Sequence, residues 1–100
     1  MIMDVNHELT RILKGRIVQS MQVEASEVSI GFFDGSRMQI KIMESNSPPL
    51  REQAHLRTIL EDGVKMLIEC EDESTFDVTL SEPGNSVSVR NKIHQVEYLG

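Results

Sequence analysis

Two stretches of equal length and matching pattern constrain this chain most: residues 28–42 (VSIGFFDGSRMQIKI) and 66–80 (MLIECEDESTFDVTL). Each alternates apolar and polar residues on both sides of a turn signal, the period of an antiparallel hairpin with one buried face. In the first, Val28, Ile30, Phe32, Met38, Ile40 and Ile42 share one face, and Ser29, Gly31, Phe33, Arg37, Gln39 and Lys41 the other. Parity then selects the turn. A two-residue turn at Asp34 and Gly35 would set Phe32 against Arg37. A three-residue turn (Phe33, Asp34, Gly35) pairs Ile30 with Met38 and Val28 with Ile40, which keeps apolar residues together. Gly35 then takes the left-handed position of a type I turn with a bulge. The second hairpin turns at Glu71, Asp72 and Glu73, where Glu73 has to adopt a backbone that suits glycine better.

Aligned without gaps, the two stretches share Ile30/Ile68, Asp34/Asp72 and Ser36/Ser74, and all six inward positions match in kind. Each follows another strand-like segment, so the chain reads as two three-stranded meanders. Either an internal duplication or the shared physics of amphipathic hairpins accounts for the likeness.

The remaining segments arrange themselves around these units. Val5, Leu9, Ile12 and Leu13 form an amphipathic stripe, predicting a helix over 4–14 capped by Asp4 or Asn6 and stopped at Gly15. The first meander is expected over 16–43. A connector over 44–54 has room for a short helix begun by Ser47 and Pro48. The second meander is expected over 55–80, with Leu56, Thr58 and Leu60 inward and a three-residue Glu61–Asp62–Gly63 turn pairing Leu60 with Val64. A last hairpin over 86–99 sets Val87 and Val89 against Val96 and Tyr98. The fold class expected is α+β and mainly β. One domain over 1–100 holds an N-terminal helix packed on a twisted antiparallel meander sheet of about eight strands, curled like a barrel or split into two layers.

With 100 residues there is room for one core. Its lining is aliphatic, since the aromatic residues are only Phe32, Phe33, Phe76 and Tyr98. No run approaches the length of a membrane span, and the first residues lack the basic region and apolar run of a secretory signal. One cysteine, Cys70, makes no internal disulfide and leaves a reducing, cytoplasmic setting as the expectation. The net charge of −6 is concentrated late: eight acids lie from Glu61 to Glu82 against Lys65 alone. Such a surface repels polyanions, so neither nucleic acid nor a membrane is an expected partner, and a protein is.

Site candidates are sparse. Glu69, Glu71 and Asp77 share the outer face of the second hairpin and are the only metal candidates, with oxygen donors of the kind calcium or magnesium takes. A solvated strand face accounts for them better. His7, His55 and His94 lack ligand spacing. Cys70 points inward beside acids, which suits a structural thiol and not a nucleophile. No catalytic constellation, phosphate loop or cofactor motif is present. The expected function is a non-enzymatic protein-interaction module, self-associating or bound to another protein through Phe33 and the acids Glu69, Glu71, Asp72, Glu73 and Asp77. The alternatives are a small-ligand or metal-binding domain or minor enzyme with a site between the meanders, and an acidic inhibitor of a basic target.

Overall fold

A computed structural model describes residues 3–100, so the first two positions of the expected domain lie outside it. The twelve inward positions read from the two hairpins are all buried, from Val28 at 0% exposure to Leu80 at 4%. They form the core together with Leu9, Leu13, Val18, Leu56, Ile59, Val87 and Val89. The strands that carry them are β2 (Val18–Val23), β3 (Glu27–Phe32), β4 (Arg37–Ser45), β5 (Leu56–Glu61), β6 (Lys65–Cys70) and β7 (Thr75–Leu80). Thus β2–β3–β4 and β5–β6–β7 are two antiparallel meanders, joined where the end of β4 pairs with the end of β7. A short β1 (Asp4–Val5) adds to β5, and a terminal hairpin of β8 (Val87–Arg90) and β9 (Val96–Leu99) adds to β4. Among the described residues the result is a curled, nine-stranded antiparallel sheet with one helix, α1 (His7–Leu13), over its edge.

The two meanders are related by a pseudo-twofold. Ile42 pairs with Leu80 and Ile17 bridges His55, so in each seam between the units one pairing joins a residue to the one 38 positions later, before a register shift in β4 pairs Glu44 with Thr79. That is the self-complementary geometry of a twofold interface. The same offset relates the bulges near Gln19 in β2 and Arg57 in β5. It also relates Gly35 and Glu73, at φ +88° and +71°. In both turns the aspartate, Asp34 or Asp72, accepts from the hydroxyl and N–H of the serine two residues on. Two unrelated hairpins share a turn length by chance; matched bulges and equivalent-to-equivalent pairing require the whole three-stranded unit to match.

Several boundaries differ from expectation. The helix starts at His7, because Asn6 Oδ1 accepts from the Leu9 N–H (3.0 Å), and Asp4 lies in β1 instead of capping. No helix forms between β4 and β5: consecutive prolines hold the chain extended, and Leu50 and Ala54 are buried from it. In β5 the bulge at Arg57 shifts the pattern, so Leu56 and Ile59 are buried where Leu56, Thr58 and Leu60 were expected. Leu60 consequently pairs with Leu67 and not Val64, in a turn closed by Asp62 accepting from the Lys65 N–H. In the last hairpin Val89 does face Tyr98, but Val96 lies opposite Arg90 on the outer face.

The helix seats on the edge of β5 just past this bulge. Between β1 and the Ile17 bridge, the free edge of β5 is completed by α1. Thr10 Oγ1 accepts from the Ile59 N–H (3.0 Å) and donates to the Ile59 carbonyl (3.3 Å), which also accepts from the Asn6 N–H (2.9 Å). Thr10→Val keeps the shape but orphans a buried N–H, an expected cost of about 1–3 kcal/mol. Urea denaturation should show a lower midpoint at unchanged slope.

Candidate anion-binding cleft

The terminal hairpin breaks the pseudo-twofold, because it docks on the first meander alone. Its register, Arg37↔Arg90, Gln39↔Ser88, extends the outer face of β2–β3–β4 by one strand. Cross-strand rows follow from the pairings. One row runs Ser20, Gly31, Arg37, Arg90; the next runs Gln22, Ser29, Gln39, Ser88. At the equivalent places on the second meander stand Glu69, Thr75, Leu67 and Asp77, so the two outer faces differ in charge as well as in partners.

Arg37 and Arg90 lie directly opposite, an arrangement that costs stability. Among the described residues neither guanidinium is paired with a carboxylate. Arg37 Nη1 donates to Ser29 Oγ (2.7 Å), and its side chain lies across Gly31, where a Cβ would come 3.6 Å from Nη2. Arg90 Nη1 donates to the His94 carbonyl (3.2 Å). These two arginines, with Gln39, Ser88, Asn91, His94 and Gly35, line a cleft of about 270 Å³.

The cleft wall is built locally. Asn91 Oδ1 accepts from the Ile93 and Gln95 N–H groups (3.0 Å each), and the His94 N–H donates to the Asn91 carbonyl (2.9 Å). This holds His94 at φ +67°, a strained position for a residue with a side chain. The β3–β4 turn forms the other wall. A Cβ on Gly35 would lie 2.7 Å from Lys92 Cβ, so the absence of a side chain there lets the two turns meet.

The acidic candidates sit elsewhere. Glu71 faces His55 (Oε2–Nδ1 3.6 Å), and Glu73 holds Arg57 with both oxygens (3.1 and 3.4 Å). The hydrogen bond and charge of Arg57 hold the Glu73 carboxyl below its ordinary range. The Asp72 carboxyl is lowered by its bonds from Ser74. Glu69 pairs with Thr75, and Asp77 with Leu67, one step apart on the second hairpin. Among the described residues no three His, Cys, Asp or Glu side chains are grouped to hold a metal ion. Burial pushes the Cys70 thiol up.

Phe33 is 51% exposed, at a depression lined also by Ile12, Ile17 and Lys14. Beside it Arg16 holds Glu97 with both guanidinium nitrogens (2.9 Å each) and approaches Asp34 (3.7 Å). Burial opposes ionisation of Asp34, but the bonds from Ser36 and the charge of Arg16 outweigh it and lower the carboxyl.

Hairpin parity turns Arg37 outward, but no local pattern links Arg90 or His94 to it. They lie more than 50 residues away in the chain, and only the β4–β8 register brings them beside it. No helix among the described residues is long and apolar enough to cross a membrane. No protein-family model matches the chain, and neither a curated protein nor a solved structure shows significant similarity to it.

Proposed function

We propose that this protein is a non-catalytic binding domain for a small anionic ligand, held in the cleft between β4 and the β8–β9 turn. One observation carries the reading: Arg37 and Arg90 face each other across paired strands, and among the described residues neither forms an ion pair with a carboxylate. A protein of net charge −6 has carboxylates in surplus to neutralise them, as it does for Arg16 and Arg57. Two uncompensated guanidiniums supply forked donors that match a carboxylate or phosphate group. The Ser88 hydroxyl and the Gln39 and Asn91 amides add neutral donors around them. The cleft volume of about 270 Å³ is near the lower end for ligand pockets, which run to about 300–1,000 Å³, and suits a small molecule better than a protein surface. The acidic second hairpin then keeps the rest of the surface unattractive to polyanions and leaves the cleft as the locus of anion affinity.

Titration with inorganic phosphate at low ionic strength, followed by amide chemical shifts, tests this. The largest changes should fall on Arg37, Gln39, Ser88, Arg90 and His94. The affinity should drop as sodium chloride is raised to about 0.15 M, where screening acts within roughly 8 Å. Absent changes, or changes scattered over the surface, would remove the reading.

A further inference from the structure

Resting on that anion-binding reading, we infer that the ligand is a polyhydroxylated anion: a sugar acid or sugar phosphate. The reason is what lies next to the arginine row. One step along the strands, Gln22, Ser29, Gln39 and Ser88 form a continuous uncharged row across β2, β3, β4 and β8. Each amide offers two donors and an acceptor, and each hydroxyl one donor and two acceptors. A ligand that only carried a charge would use the donors nearest the arginines and leave the acceptors idle. Vicinal hydroxyls, which donate and accept together, use all of it.

The spacing fits such a molecule. Two residues along a strand advance roughly 7 Å, the distance from the Arg37 position to the Gln39 position. That separates an exocyclic anionic group from the hydroxyls on the far side of a six-carbon sugar. The depression continues past Gln39 to Glu24 and Glu27, sharing Arg37 and Gln39 with the first cleft. Carboxylates at that end repel a second anionic group, so the body of the ligand is uncharged while its head is an anion. This disfavours a dicarboxylate. Among the described residues lining the two depressions there is no Phe, Tyr or Trp, and the His94 imidazole is the single ring, so a nucleobase finds little to stack on.

Isothermal titration with four probes tests the inference: D-glucuronate against acetate, and D-glucose 6-phosphate against inorganic phosphate. The sugar form should bind at least tenfold tighter than its simple counterpart in one pair, and the pair in which it does identifies a carboxylate or a phosphate as the head. Gln39→Ala, at an exposed position, should erase that gain by costing the sugar form more than the simple anion, with the thermal midpoint unchanged. If neither sugar form gains over its simple anion, or if Gln39→Ala weakens all four equally, the ligand class is wrong and the anion reading stands. If no probe binds, the anion reading fails and this inference with it.

Discussion

Arg90→Glu is expected to abolish phosphate binding and, at the same time, to raise the thermal midpoint. The two effects have one cause. In the native chain Arg90 faces Arg37 across the β4–β8 pair, and on the proposed reading a bound anion relieves the repulsion between them. A glutamate at position 90 becomes the missing anion. It pairs with Arg37 across the strands, contributing about 0.2–1 kcal/mol relative to a neutral pair, and more relative to two like charges. It also removes one forked donor and places a carboxylate where the ligand's charge would sit. Losing one charged hydrogen-bonding partner costs about 1.5–3 kcal/mol, so the affinity should fall at least tenfold to a hundredfold, before repulsion is added. Calorimetric titration with phosphate and a thermal melt on the same sample read both quantities. If the variant binds phosphate as the native chain does, the cleft is not the site. If it loses binding and stability together, Arg90 is a structural residue and the opposed arginines have another explanation. The combination of gained stability and lost binding is the mark of residues kept for function.

Phe76→Ala is expected to have the largest effect on folding. Phe76 is fully buried in β7, pairs with Ile68 across to β6, and is the largest side chain the second meander contributes to the core. Truncating a buried phenylalanine costs about 3–5 kcal/mol, transfer and cavity together. A domain of this size has only about 5–15 kcal/mol in total. With a shift of roughly 4–8 °C per kcal/mol at this chain length, the midpoint should fall by about 12–40 °C. Differential scanning calorimetry checks the figure. A loss below 1 kcal/mol would mean that the two meanders do not share the core through this residue. Phe33→Ala provides the contrast. Its ring is half exposed at the β3–β4 turn, so its loss should leave the midpoint nearly unchanged.

Local sequence determined the two hairpins, their three-residue turns and every inward position on them. Strand parity has a period of two, and a shift of one residue would expose Phe32 or Phe76, so nearest-neighbour chemistry leaves a single answer. The likeness between the units was legible for the same reason, but its meaning was not. Whether the units merely resemble one another or form a symmetric pair depended on Ile17 meeting His55 and Ile42 meeting Leu80, contacts between segments 38 residues apart. The connector, the β5 register and the start of α1 also lay beyond local reading. Each was decided by a bulge or a distant partner: Arg57 shifting the alternation, Leu50 drawn into the core, Thr10 completing the edge of Ile59.

The candidate site is the clearest case of tertiary structure deciding alone. Sequence placed Arg37 on an outer face and drew attention to the acids from Glu69 to Asp77, because charge density along the chain is visible and charge density across strands is not. Among the described residues the acids form no group of three placed to hold a metal ion, and Glu71 and Glu73 have His55 and Arg57 beside them. The cations proved to be gathered, because the terminal hairpin adds to β4 and sets Arg90 against Arg37. Strand order is a long-range choice made by the buried faces of Val87 and Val89 against the core. The outer-face rows, and with them the cleft, are its consequence.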